Sequence, residues 1–471
     1  MRLRGLFLPR RYVFGFAVVG MAMTLPGQTA GVSAFIDFLI DALEMSRVRL
    51  SLAYLIGTLV SASVLTPAGK LYDTLGSRVT GAAAVAGLGL SLLALTRSPD
   101  LAAGLVSFGV ARPAATLLVM AVGFFLIRFF GQGVLELVSR TMLLKWFDDK
   151  RGLANAIFAG IMPVIFSLAP PAFDVLIRAN GWQGAWRILG FALVPGGLLM
   201  TWLTFSDPPP RVGSGGEDAD GGTGSVGGAS ASAGAQASPG AAPVPLALVP
   251  LRAIARRLNL RRTREPLSPA VDRPLSFAVR NLAFWVFLAV ITLSAALVTG
   301  LTFHVVGIFA EAGIGRGPAL AMFLPTSIVS VFVLAFASVI SDYVRLKYFA
   351  VLHGGALGCA LLSILFLSRG PVAYAMMVFS WGIAMATMEV NQAVVWPRFY
   401  GLTHLGTISG FAAAWMVAGS ALGPYAFSLA AEITGSFHAI VWIMAPICLI
   451  IAALGFLADN PNRGDQLTAS P

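Results

Sequence analysis

Along its length the chain alternates long apolar stretches with short clusters of charge, glycine and proline. A helix that crosses a bilayer needs about 20 mostly apolar residues. Twelve such stretches can be laid down between the clusters: roughly 11–36, 49–68, 79–97, 114–138, 152–176 and 185–205, then 282–309, 318–340, 348–368, 371–395, 405–430 and 437–458. Arg2, Arg4, Arg10 and Arg11 ahead of the first apolar run would also suit a secretory signal. That run is long enough to span and leads into eleven more, so it is read as span 1.

One segment breaks the rhythm. Residues 206–275 open on Pro208, Pro209 and Pro210, and Val212 to Gly240 is rich in glycine and has no aromatic residue, the composition of a flexible linker. After Pro250, Leu251, Ile254, Ala255 and Leu258 recur at helical spacing among Arg252, Arg256, Arg257, Arg261 and Arg262. This basic stretch, about 251–264, is either an amphipathic helix on the anionic cytoplasmic leaflet or a solvated segment that helps fix topology. The expected organisation is a six-helix bundle over 1–205, a cytoplasmic linker over 206–275, a second six-helix bundle over 276–458 and a cytoplasmic tail over 459–471.

Composition agrees with this pattern. Of 471 residues 57% are hydrophobic and 11% charged, with a mean hydropathy of +0.82. Soluble domains carry roughly 25% charged residues, so a soluble fold is excluded. The net charge of +11 acquires meaning when the basic residues are sorted by side. With the N-terminus inside, 23 of the 32 Lys and Arg fall on the cytoplasmic side, eight outside, and Arg128 lies within a span. The basic excess is therefore mostly topology, with both termini cytoplasmic and no nucleic-acid partner. Cys359 and Cys448 each lie in an apolar run, which supports neither a disulfide framework nor a metal site.

The two groups of six spans repeat weakly. Gly152, Pro170, Ala172 and Phe173 in span 5 correspond to Gly406, Pro424, Ala426 and Phe427 in span 11, a constant offset of 254. Asp73 after span 2 corresponds to Asp342 after span 8 at an offset of 269, and a long connection at 98–113 absorbs the difference. Gly69, Asp73, Gly76 and Arg78 stand as G-x-x-x-D-x-x-G-x-R, with Thr74 after the aspartate. Glycines permit a tight turn, and Asp and Arg can lock helix ends. The second copy keeps Asp342 but has Ser338 and Arg345 at the glycine positions.

This loop resembles the signature of the major facilitator superfamily, and Arg128 with Gly131, Gln132 and Gly133 resembles the family's span 4 motif. The resemblance covers all twelve spans and implies an all-α, polytopic fold of two six-helix bundles. Gly27-Gln28-Thr29, Trp146-Phe147 before Arg151-Gly152, Gly181-Trp182 and Gly423-Pro424 look like the monocarboxylate transporter and oxalate/formate antiporter branch. In that branch, anion binding relies on basic residues in spans 8 and 11. Here both spans lack them, so an organic-anion reading rests on Arg128.

Charges inside a span cost several kcal/mol and are functional candidates. Arg128 is either the partner of a substrate carboxylate, for which its fork is suited, or a structural residue bonded to span 1 or to a glutamate. Glu136 and Arg140 at the inner end of span 4, and Glu389 and Arg398 in span 10, form a candidate cytoplasmic gate with the two signature loops. Glu389 is also a candidate proton carrier. Pro26-Gly27 interrupts span 1 just before Gln28 and Thr29, giving either a substrate-binding break or a simple kink. His304 is a candidate proton relay or a packing residue. Tyr54, Thr302, Asn391 and Gln392 are further cavity candidates.

The expected function is secondary transport of a small organic solute, a monocarboxylate-like anion moved with protons, by a monomer in the inner (plasma) membrane. No cofactor or metal is expected. The alternatives are proton-driven efflux of a drug or metabolite and a transporter-like solute sensor. The chain carries no P-loop motif for ATP and no enzyme-like nucleophile motif.

Overall fold

The computed structural model describes residues 10–147, 151–208 and 272–462. Most of the expected linker, including the basic stretch at 251–264, and most of the expected tail lie outside the described residues.

Lipid offers no hydrogen bonds, so the backbone of an apolar run satisfies its own N–H and C=O groups as a helix. The first half contains α1 (Arg10–Ala22), a tight 3-10 turn at Leu25–Gly27, α2 (Thr29–Ser33), α3 (Ile36–Leu43), α4 (Arg47–Leu95), α5 (Ser98–Ser107) and α6 (Arg112–Ile127). A wide π-helical segment, Arg128–Leu135, joins α6 to α7 (Glu136–Trp146). Then come α8 (Arg151–Phe191), a second π segment at Ala192–Gly197, and α9 (Leu198–Thr204). The second half contains α10 (Leu275–Ala278), α11 (Leu282–Glu311), α12 (Arg316–Ala321), α13 (Phe323–Ile340), α14 (Leu346–Ile364), α15 (Pro371–Tyr400), α16 (Leu405–Thr434) and α17 (His438–Gly455). No strand occurs among the described residues.

Among the described residues, ten helical stretches are long and apolar enough to cross a membrane. Two are far longer than one crossing requires: Arg47–Leu95 has 49 residues and Ile157–Thr204 has 48. Drawn straight at 1.5 Å per residue, each would be about 70 Å long, more than twice the hydrocarbon core. Each is broken at a glycine in the left-handed region, Gly76 at φ 76° and Gly181 at φ 69°. A side chain is disfavoured there, and these are the two places where the sequence placed loops between spans. The connection at 98–113 is long because it holds the extra helix α5.

Each half has its own core. The first is built around Phe35, Tyr54, Phe124, Phe158 and Trp186, and Phe303 of α11 reaches across into it. The second has one cluster around Phe309, Trp381 and Phe427 and another around Phe284, Phe287, Trp396 and Tyr400. Large apolar side chains also cover the outside, among them Phe332, Val372, Ile433 and Trp442. Such a surface suits lipid rather than water. The halves meet in pairs: α4 against α16, α8 against α13, and α2 against α11. Gly423 allows the close crossing of α16 on α11, since a side-chain carbon there would collide with the Ala296 carbonyl.

Candidate functional site

The interruption of the first span places the central polar groups. Pro26 has no N–H, and the chain turns at Leu25–Gly27 before resuming as α2, with Gln28 extended at φ −80°, ψ 147°. Gly27 packs directly on the π segment, where an added carbon would strike the Ile127 carbonyl and Gly131. This contact brings adjacent residues of the break onto opposite ends of that segment. Arg128 Nη1 donates to Thr29 Oγ1 at 3.0 Å, and Gln28 Nε2 donates to Glu136 Oε2 at 3.0 Å. Gln28 Nε2 also donates to Thr24 Oγ1 at 3.1 Å.

Arg128 is 6% exposed and Tyr54 fully enclosed. The Tyr54 hydroxyl lies 2.7 Å from Thr29 Oγ1, and the Arg128 guanidinium sits over the Tyr54 ring, 5.2 Å from its centre. Phe124 packs edge-on to the same ring at 5.4 Å, and Phe303, from the other half, lies 4.8 Å away. No carboxylate comes within ion-pair distance of Arg128 among the described residues. A buried guanidinium with donors to spare, neutral partners and aromatic walls can receive a carboxylate.

Glu136 is buried at the start of α7, one π segment beyond Arg128, and accepts from Gln28 of span 1. Glu389 of α15 lies deep in the protein, keeps part of its surface open, and feels the charges of Arg140 and Glu136 from the opposite half. Gln132 Oε1 and Gln392 Nε2 are enclosed without hydrogen-bond partners among the described residues, as are both polar atoms of Asn391. Asn391 follows Thr387 by one turn. Thr387 accepts from His353 Nδ1 at 3.0 Å. Thr302 is buried in α11. His304 is fully buried, and its Nε2 donates to the Pro424 carbonyl at 2.8 Å, a bond that ties α11 to α16.

The loop end differs in detail from the sequence reading. Gly69 lies within helix, with open space beside it, and the turn is made at Gly76 alone. Asp73 is exposed. The anchor is Asp207, just after α9. Its carboxylate accepts from the Ser77 backbone N–H at 2.7 Å and the Ser77 hydroxyl at 2.8 Å, and pairs with Lys145 at 3.3 Å. Arg78 Nε donates to the Phe205 carbonyl at 3.1 Å.

In the second half, Asp459, just after α17, pairs with Lys347 at 3.1 Å and Arg345 at 3.4 Å. Arg398 donates to the Ser341 carbonyl at 2.7 Å and meets Asp342 at 3.4 Å. Partial burial opposes the charged form of both aspartates. It is outweighed by the Ser77 bonds and Lys145 for Asp207, and by Lys347 and Arg345 for Asp459, so both lie below the ordinary carboxylate range. The signal for these anchors was present in the sequence: Asp207-Pro208-Pro209-Pro210-Arg211 and Asp459-Asn460-Pro461-Asn462-Arg463 share D-x-P-x-R at an offset of 252.

At the opposite end, Arg316 clasps the two halves together. From the start of α12 it donates to Asp174 of α8 at 2.5 Å, to Asp37 of α3 at 3.3 Å, and to the Ala34 carbonyl. Arg47 pairs with Asp37 at 2.7 Å and Arg178 with Asp174 at 2.8 Å, so three arginines and two aspartates form one alternating chain. Sequence reasoning had counted these arginines only as topological charge.

The sequence matches the family described as Major Facilitator Superfamily over residues 13–424. No curated protein matches it in sequence. Among solved structures, the D-xylose-proton symporter is similar with a TM-score of 0.64 and 14% identity, covering 97% of this chain and 99% of that one. A mutant of the nucleoside transporter NupG is similar at 0.61 and 13% identity, over 96% of this chain and 100% of its own. A bacterial homolog of the human lysosomal transporter Spinster, inward-facing and unoccupied, is similar at 0.61 and 13% identity, over 96% and 98%.

Proposed function

Because the chain belongs to the Major Facilitator Superfamily, we propose that it is a secondary active transporter moving a small organic anion of the monocarboxylate type, together with protons, by alternating access. One observation carries the anion reading: Arg128 is buried in the interior and meets the neutral Thr29 hydroxyl and the Tyr54 ring. A charge at such depth is costly unless it is compensated, and a bound carboxylate supplies the compensation. Phe303 and Tyr54 bring an aromatic wall from each half to that position, so the solute is held where the halves meet.

The breaks at Gly76 and Gly181 support counting twelve spans as two bundles of six. The 23 to 8 bias of basic residues supports placing both termini and the D-x-P-x-R anchors in the cytoplasm. The Arg316 clasp then closes the outer side. The carrier works as a monomer in the inner (plasma) membrane without a cofactor, and residues 206–275 link its halves.

The test is counterflow in proteoliposomes with radiolabelled lactate, pyruvate and formate. Exchange of at least one that is weakened in Arg128→Gln supports the reading. Absence of exchange for all three in the wild-type protein overturns it.

A further inference from the structure

The connection from span 3 to span 4 holds a helix that the rest of the fold leaves largely uncovered. α5 (Ser98–Ser107) and the turn behind it join the end of α4 to the start of α6. Pro99 sits in its first turn, where a missing N–H costs no bond. Gly109 at φ 89° stops it, and the Val110 N–H closes back on the Leu105 carbonyl. The second half has no counterpart, since between α14 and α15 the chain makes only the short turn Leu367–Arg369. α5 is thus no part of the repeat.

α5 rests on α6 and touches α3. Ser98 and Ala102, one turn apart, are buried and mark its inward stripe. Leu101, Val106 and Phe108 stand outside, and Phe108, 88% exposed, is barer than any other large apolar side chain among the described residues. From Leu101 to Ala111 the sequence has no charged residue. Its one side-chain hydroxyl, on Ser107, donates to the Gly104 carbonyl at 2.6 Å and is spent within the helix. A helix lying in water keeps a polar outer face, whereas one that is apolar all round belongs in protein or in lipid. Beyond its first turn α5 is apolar all round, and protein covers only one stripe of it.

Length decides how lipid meets it. Ten residues rise about 15 Å, half of a hydrocarbon core of about 30 Å, so α5 cannot cross the bilayer and suits its boundary. Charges bracket the apolar stretch. Arg97 and Asp100 stand 3.9 Å apart before it, Arg112 pairs with Glu44 at 2.9 Å after it, and all four side chains are exposed. Long charged side chains in such positions reach the headgroup level while their neighbours sit deeper. The surface also continues one that faces lipid, because α6 carries Leu118 and Val122 outward. The contact with α3, which carries Asp37, puts α5 at the end of the molecule that holds the Arg316 clasp.

We propose that α5 is an interfacial helix whose partner is the lipid of the outer leaflet. Leu101, Val106 and Phe108 sink below the headgroups, Arg97 and Arg112 reach toward the phosphates, and the outer ends of spans 3 and 4 are thereby fixed in depth. The proposal rests on the membrane placement and topology above and is independent of the solute and its coupling.

Spin-label accessibility tests it in the full-length protein, reconstituted in vesicles of phosphatidylcholine and phosphatidylglycerol. Cys359→Ala removes the exposed native cysteine, and Cys448 is buried. Leu101→Cys, Val106→Cys and Phe108→Cys then each carry one nitroxide. Oxygen concentrates in the bilayer, while a nickel chelate stays in water. The expected result is accessibility to oxygen several-fold above that to the chelate at all three positions. An excess for the chelate shows a helix projecting into water and overturns the proposal. Protection from both reagents shows another protein surface over α5, such as a second copy of this chain, and overturns it as well. Val122→Cys in span 4 separates the two levels of the argument. A label there that behaves as in water overturns the membrane placement itself, whereas lipid-like behaviour at Val122→Cys beside water-like behaviour on α5 overturns the α5 proposal alone.

Discussion

Arg128 donates to the Thr29 hydroxyl at 3.0 Å, and the same oxygen lies 2.7 Å from the Tyr54 hydroxyl. A buried cation is thus met by one neutral hydroxyl, itself bonded to a second, rather than by an acid. Neutral partners orient the guanidinium without cancelling its charge, and the charge stays available to a ligand.

Replacing Arg128 separates charge from geometry. Arg128→Gln removes the charge and Arg128→Lys keeps it while losing the planar fork. Both are expected to raise the half-saturation concentration for solute by roughly ten-fold or more, with the larger effect in glutamine. Tyr54→Phe leaves the ring under Arg128 and deletes one hydroxyl, for an effect of about two- to five-fold. Uptake kinetics at matched surface expression measure all three, and an unchanged half-saturation value in Arg128→Gln removes this residue from the binding site.

Cutting the clasp shifts the conformational balance. Arg316→Ala deletes the bonds to Asp174, Asp37 and Ala34 together. The expected result is a several-fold rise in labelling of an Ala34→Cys reporter by a membrane-impermeant maleimide added outside. The same rise in Asp174→Asn, smaller because Asp37 remains, locates the effect in the clasp.

The loop anchors depend on pH. Asp207 and Asp459 are held below the ordinary carboxylate range in the folded protein. A folded value below the unfolded one of about 4 gives stability that is fully present above that pH and lost as pH falls through the folded value. Melting temperatures of Asp207→Asn and Asp459→Asn should fall below wild type by a few degrees at neutral pH. The gap should close in acid, and a gap independent of pH contradicts the assignment.

Gly423→Ala tests the contact of α16 with α11. The added methyl meets the Ala296 backbone carbonyl, which cannot rotate away as a side chain could. Overpacking of this kind costs about 1–3 kcal/mol, and a lower melting temperature with reduced transport is expected. Gly410→Ala, where nothing lies nearby, should be silent.

Much of the fold was legible because its signals are local. Apolar length gives helices, and Pro26-Gly27 announced the break in span 1, since proline cannot supply the N–H that a continuing helix needs. The loops at Gly76 and Gly181 were equally visible. The π segment at Arg128–Leu135 was not, because a shift of hydrogen bonds from i−4 to i−5 has no compositional signature, and that extra residue per turn helps set where Glu136 points. Arg316 was hidden for another reason: its partners, Asp37 and Asp174, are 279 and 142 positions away, and only the packing of the halves brings them together. D-x-P-x-R was readable, yet its meaning depends on the turn at Gly76, where an added carbon would meet the Asp207 carboxylate at 2.7 Å.

The repeat has kept its aspartates and changed what holds them. In the first half the grip comes chiefly from a backbone amide and a hydroxyl of Ser77, at 2.7 and 2.8 Å. In the second it comes from two cations, at 3.1 and 3.4 Å. Dissolved salt screens partly exposed ion pairs and leaves short hydrogen bonds nearly untouched. Raised salt at this end therefore slackens the second bundle's anchor while largely sparing the first, so the two halves, alike in sequence pattern here, differ in what loosens them.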